Sequence, residues 1–278
     1  MAVDQELIDD AMTSLTVTFK GNLKDGGQKT VRLVEREGVE FVLKVIAVES
    51  GDPAALRRAQ REVELLQDVD DPHVVKVASD LVELDDPVRG AAWLEGYLSG
   101  DDLAALVGAP WTWEDVLAMA RDVARGLAAL HAVRVVHRDL SANNVRRLDD
   151  GRYVLMDPGF ARHMVRSDLT VGGQPGTPGF LSPEHLHGYS GAPNPASDVF
   201  CTGILIFLCL TGQLPIPFSG DPADYISRLA RVELTDLESL RNDLDPDVIA
   251  LVKSCLHPQS ARRPRNGARL ATVLDEIA

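Results

Sequence analysis

The chain has 278 residues, 45% apolar and 25% charged, a composition that suits a folded protein with a sizeable core. Its 28 Lys and Arg against 42 Asp and Glu give a formal net charge of -14. That balance argues against nucleic acid as a partner and leaves only local basic pairs such as Arg57-Arg58, Arg146-Arg147 and Arg262-Arg263. Cys201, Cys209 and Cys255 have neither zinc spacing nor an even disulfide set, so reduced thiols in a cytoplasmic protein are expected. The N-terminus lacks a basic region ahead of an apolar core. The longest apolar run, Val199 to Leu210, falls short of the roughly 20 residues a membrane helix needs, so no membrane partner is expected and a buried helix is.

Residues 1–14 read as a polar leader or short helix. Leu15 to Phe19 alternates as a half-buried strand does, and a turn-rich stretch at 21–30 leads into a strand at 31–34. Gly26 and Gly27 in that stretch offer backbone N–H groups suited to a phosphate, although the pattern is neither G-x-x-x-x-G-K-[ST] nor G-x-G-x-x-G, and a plain hairpin turn accounts for it equally. After a turn at Glu37-Gly38, a strand over 41–48 carries Lys44 between apolar neighbours, where its charge needs a partner. The helix predicted over 53–67 begins near Pro53 and offers Glu62 and Glu64.

Strands follow at roughly 74–84 and 90–95. A long helix runs from Thr112 to about Ala132, with Val116, Met119, Ala120, Val123, Leu127 and Leu130 on one face. Then comes His137-Arg138-Asp139-Leu140-Ser141-Ala142-Asn143-Asn144, and thirteen residues after Asn144 stands Asp157 in Asp157-Pro158-Gly159. Two carboxylates and a carboxamide at neighbouring strand–loop junctions suit phosphoryl transfer. That reaction needs a group to orient a hydroxyl and oxygen ligands for a metal on the phosphates. Helical patterns at 199–211, 222–232, 246–255 and 267–277 close the chain.

The stretches 137–144 and 157–159 resemble the catalytic loop and metal-binding segment of the Hanks-type (eukaryotic-like) serine/threonine protein kinases. Lys44, Glu62, the turn at Asp71-Pro72-His73, the hinge-like 94–103, Thr177 to Glu184, Asp198 and Arg263-Pro264 fall in the same order as that family's further motifs. The resemblance implies an α+β, bilobal fold with a small β-rich N-lobe and a larger α-rich C-lobe. It implies one kinase domain over 15–278, with a leader at 1–14, an N-lobe and hinge at 15–98 and a C-lobe at 99–278. It further implies ATP and Mg2+, or Mn2+ in its place, and a protein substrate carrying Ser or Thr. Asp139 becomes the base, Asn144 and Asp157 the metal ligands, and Lys44 the brace for the phosphates, paired with Glu62. Gly26 takes the middle glycine of the phosphate loop, with Gly27 beside it. Lys24 and Lys29 stand in place of the outer glycines. Backbone groups near 95–98, including Glu95 and Tyr97, face adenine, and Asp102 stands where a ribose contact is placed, or caps a helix. Thr177 resembles the threonine that contacts the catalytic loop, Asp198 the aspartate that props it, and Arg263 the partner of Glu184.

Three departures keep alternatives open. Ser141 replaces a lysine of the serine/threonine branch, Pro158 replaces the usual Phe, and the glycine loop is degenerate. An ATP-binding pseudokinase acting as a scaffold, or a kinase for a non-protein acceptor, are the competing readings. Arg138, Arg162 and Arg166 are candidates for binding a phosphate placed on Ser167, Thr170 or Thr177, which points to autophosphorylation.

Overall fold

Asp4 starts the first helix by accepting the Leu7 N–H at 2.9 Å, and α1 runs Gln5–Ser14. In the computed structural model, residues 3–23, 29–48, 53–85, 87–158, 177–187 and 194–277 are described, without the side chains at 53–55, 58–59 and 61–62. They divide into two compact units. The first holds the described residues up to Asp70 together with Val75–Leu98, and the second holds Asp71–Val74, Ser99–Pro158 and the described residues from 177 on.

In the first unit, β1 (Thr18–Asn22), β2 (Lys29–Arg36), β3 (Val39–Ala47), α2 (Pro53–Gln67), β4 (Val82–Leu84) and β5 (Gly90–Gly96) follow α1. The strands form one antiparallel sheet in the order β1-β2-β3-β5-β4. Arg36 pairs with Val39, so Glu37-Gly38 is a two-residue hairpin loop, and both residues have positive φ, as a type I′ turn requires. Alternation then sorts the sheet into two faces. Val34, Leu43, Val45, Ala92 and Leu94 pack with Leu7, Ala11 and Leu15, so of the two readings of 1–14 the short helix holds, and α1 covers one face of the sheet. The opposite face carries Lys44, Trp93 and Glu95. The first strand begins later than its alternation suggests because Leu15 is the C-cap of α1 and Thr16 turns the chain with φ 53°. Of the strand expected over 74–84 only Val82–Leu84 forms, as β4, with isolated bridges at Val74 and Val77 before it.

The second unit runs β6 (Gly100–Asp102), α3 (Leu103–Leu106), α4 (Trp113–Ala132), β7 (Val145–Leu148), β8 (Tyr153–Leu155), α5 (Pro195–Thr211), α6 (Pro222–Arg231), α7 (Leu237–Leu240), α8 (Pro246–Cys255) and α9 (Gly267–Glu276). Its strands form the sheet β6-β7-β8. Thr112 accepts the Asp115 N–H to open α4. Asn194, Asp221 and Asp245 cap α5, α6 and α8, each ahead of a proline that suits the first helical turn. Every residue of α5 from Ala196 to Thr211 is buried, with α4, α8 and α9 around it. This is the buried helix expected from its apolar run. Among the described residues no helix is long and apolar enough to cross a membrane.

All three cysteines are buried and unpaired. Burial pushes the Cys201 thiol well above its ordinary value and those of Cys209 and Cys255 up to about 12, so all three stay protonated packing groups.

One packing contact sets the seat of α4. A Cβ at Gly126 would stand 2.6 Å from the His73 carbonyl oxygen and 2.9 Å from Leu155 Cδ1. Gly126→Ala should therefore cost about 1–3 kcal/mol through overpacking, read as a lower midpoint in chemical denaturation. An unchanged midpoint would contradict this seating.

Candidate active site

The second unit builds its polar centre around a carboxylate that no solvent reaches. Asp198, in the first turn of α5, accepts the backbone N–H of His137 at 2.8 Å and of Arg138 at 2.9 Å, and the His131 Nε2–H at 2.9 Å. His131 in turn accepts the Gly267 N–H on Nδ1 at 3.0 Å, which assigns its tautomer and ties α9 to the same point. Burial alone would raise the Asp198 carboxyl, but the hydrogen bond from His131, with the Arg138 N–H, holds it below the ordinary carboxylate value.

This clamp fixes a bend. Arg138 has φ 64°, a left-handed conformation uncommon for a side-chain-bearing residue, and its two peptide groups are held by different partners. Its N–H goes to Asp198 and its carbonyl accepts the His185 Nε2–H at 3.0 Å. His185 Nδ1 accepts from the Ser182 N–H at 3.0 Å, with the Ser182 hydroxyl at 2.8 Å. His137 is fully buried and donates from Nε2 to the Met156 carbonyl at 2.9 Å; burial lowers its pKa, which keeps it neutral.

Asp139 follows directly, half-buried, with the Thr177 hydroxyl donating to its Oδ1 at 2.9 Å. Asn144 donates from Nδ2 to the Asp139 carbonyl at 2.7 Å, which leaves Oδ1 as its atom for a cation. The Asn144 carbonyl accepts the Met156 N–H at 2.9 Å, so the residue just before Asp157 is joined to the residue just before β7. Asp157 itself has φ 52°. Asp139, Asn144 and Asp157 therefore share one end of the β7–β8 pair. No group of three or more His, Cys, Asp or Glu capable of holding a metal occurs among the described residues. Asp157 and Asn144 fit a hard cation that takes one or two protein oxygens and completes its shell with water and phosphate, as Mg2+ does.

Farther along, Glu184 and Arg263 form a two-pronged pair, both contacts 2.9 Å. Burial raises the Glu184 carboxyl, while the Arg263 hydrogen bonds and charge more than offset it and hold it below its ordinary value. Arg263 also donates to the carbonyls of Ala196, His257 and Pro258, locking the start of α5 to the end of the chain.

In the first unit Lys44 meets a partner the sequence did not suggest. Its ammonium lies 2.6 Å from Glu95 Oε2, with both side chains about 95% buried, 5% and 4% exposed. Trp93 donates its indole N–H to Glu95 Oε1 at 3.0 Å. Glu95, whose backbone is expected to face adenine, sits inside the sheet opposite Val42 and bridged to Val77, with its carboxylate engaged as well. Tyr97 comes just after the last residue of β5. The expected Lys44–Glu62 pair involves a side chain outside the described residues, as do Gly26, Gly27, Lys24, Arg162, Arg166, Ser167 and Thr170. Lys29 is described and is buried at the start of β2.

Asp102 stands before α3 but makes no side-chain cap; its carboxylate accepts from Arg146 Nη1 at 2.9 Å, and Arg146 Nη2 donates to the Gly100 carbonyl at 2.6 Å. A ribose contact there would be shared with Arg146. The Ser141 hydroxyl is buried and has no hydrogen-bond partner among the described residues. The contacts of His185, of Arg146 and of the Glu95 carboxylate are what sequence reading missed, since each is recruited by a partner distant in sequence.

The protein kinase domain model matches residues 19–272. Serine/threonine-protein kinase AfsK of Streptomyces coelicolor is 31% identical over 250 residues, 88% of this chain and 30% of that protein. Mitogen-activated protein kinase kinase 9 of Arabidopsis thaliana is 27% identical over 216 residues, 76% of this chain and 68% of that protein. Serine/threonine-protein kinase PknK of Mycobacterium tuberculosis is 32% identical over 170 residues, 60% of this chain and 15% of that protein. The chain thus spans about a third or less of the length of these bacterial relatives. These matches bear out the Hanks-type resemblance and the α+β kinase fold, strand-rich first and helix-rich after. With the kinase model covering nearly all of its length and the Asp198-clamped loop in place, the chain belongs to the protein kinase family.

Proposed function

We propose that this protein transfers the γ-phosphate of Mg2+-ATP to serine or threonine hydroxyls of a protein substrate, its own chain included. The observation that carries the proposal is the clamped loop. Asp198 and His185 hold Arg138 in its left-handed bend, and that bend sets Asp139 beside Asn144 and Asp157. Asp139 orients the acceptor hydroxyl and takes its proton as the new O–P bond forms and the bond from the γ-phosphorus to the β–γ bridging oxygen breaks, with ADP leaving. Thr177 steadies that carboxylate. Asn144 Oδ1 and Asp157 hold the metal, which when bound offsets negative charge on the phosphates. Lys44 braces the α- and β-phosphates, and backbone groups past Gly96, at Tyr97 and Leu98, meet adenine. Gly26 and Gly27 line the phosphate loop. Three unpaired cysteines support a cytoplasmic setting.

Calorimetry tests the nucleotide site. ATP should bind, Mg2+ should tighten that binding, and Asp157→Asn should remove the tightening while weak metal-free binding persists. A wild-type chain that ignores ATP at millimolar concentration would overturn the proposal.

A further inference from the structure

Glu95 is a carboxylate where the sheet has no need of one. It lies in the last turn of the pleat before β5 ends, is 3% exposed, and is flanked by fully buried Trp93 and Leu94. An isolated charge there is costly, so its neighbours matter. The β3–β5 register sets Lys44 directly opposite Trp93. Glu95, two residues beyond Trp93, is on the same face and diagonal to Lys44, within reach of a long side chain. The two carboxylate oxygens are then divided, Oε2 to the Lys44 ammonium at 2.6 Å and Oε1 to the Trp93 indole N–H at 3.0 Å. A carboxylate held at both oxygens has one orientation, and it passes that orientation to the ammonium.

We infer that Glu95 is a positioning residue for Lys44, holding its ammonium from within the sheet through a Trp93–Glu95–Lys44 chain. The inference rests on the reading of Lys44 as the group that braces the ATP phosphates. It goes beyond that reading by adding a second acid to Lys44, one carried by a strand paired along its length to β3 and independent of where α2 stands. A partner in the sheet sets the rest position of Lys44 before nucleotide arrives.

The test uses the full chain, a generic Ser/Thr-containing acceptor protein and four variants: Glu95→Gln, Lys44→Met, the double variant, and, as control, Glu83→Gln at an exposed position of β4. Glu95→Gln should lower kcat/KM for ATP by about 10–100-fold, largely through KM for ATP, with KM for the acceptor unmoved. A merely structural loss would lower the active fraction and leave both KM values alone, which would overturn the positioning role. Faster transfer by Glu95→Gln would also overturn it, since Glu95 would then be withholding Lys44. Thermal unfolding of the same set reads the pair without any activity. The double variant should lose less than the sum of the singles, and additive losses would overturn the pairing. Non-additive unfolding in a chain that neither binds nor cleaves ATP would uphold the pair and overturn the nucleotide role on which the inference rests.

Discussion

Asp139→Ala should lower phosphate transfer by about 10²–10⁴-fold while leaving the fold and ATP affinity close to wild type. The argument is local. The Asp139 side chain receives the Thr177 hydroxyl, whereas the loop around it is held by backbone bonds that the substitution leaves alone. These are Asn144 Nδ2 to the Asp139 carbonyl, Asp198 to the peptides of His137 and Arg138, and His185 to the Arg138 carbonyl. Thr177 loses one acceptor in a half-buried setting, a cost of about 1 kcal/mol at most. Steady-state transfer, ATP titration and a denaturation curve on one preparation check all three statements. Loss of ATP binding together with transfer would show that Asp139 supports the nucleotide site rather than the acceptor hydroxyl.

Asp198→Ala should do the reverse, damaging stability first and transfer as a consequence. The substitution removes the acceptor of three buried donors, the peptides of His137 and Arg138 and the His131 ring, at a cost of about 3–5 kcal/mol. Asp198→Asn is the sharper probe, because an amide offers one oxygen where the carboxylate offers two and turns an N–H toward a donor. The pH dependence carries a definite sign. The Asp198 carboxyl is held below its unfolded value of about 3.9, so its stabilisation is fully present above that pH. It is lost as pH falls from there through the lower folded value. Acid unfolding curves of wild type and Asp198→Asn should therefore converge at low pH and diverge above it. Parallel curves would contradict the clamp.

Much of this was legible because the sequence announces its helices. Pro53, Pro195, Pro222 and Pro246 stand at or near helix starts, and the caps Thr112, Asp221 and Asp245 precede clear apolar periods. The residues proposed for the chemistry were legible for a different reason: Asp139, Asn144 and Asp157 lie within nineteen residues of one another, on one loop and the strand pair that follows it. What escaped depends on register and on distant partners. The Glu95–Lys44 pair spans 51 positions and follows only once β3 and β5 are aligned. His185 reaches Arg138 across 47 positions. Alternation at 15–19 assigned the whole stretch to a half-buried strand, which holds only from Thr18 on, and there Phe19 is exposed. Leu15 belongs to the end of α1, whose Leu7 and Ala11 fill one face of the sheet, and a short polar-looking helix gives no warning of the surface it will cover.

The most direct measurement is transfer from γ-labelled ATP to an acceptor protein, with the phosphorylated residues identified by mass spectrometry, in the presence and absence of Mg2+. The account predicts metal-dependent label on serine and threonine, on the acceptor and on the chain itself, and label lowered by about 10²–10⁴-fold in Asp139→Ala. ATP bound without transfer, or label confined to a small-molecule acceptor, would contradict it.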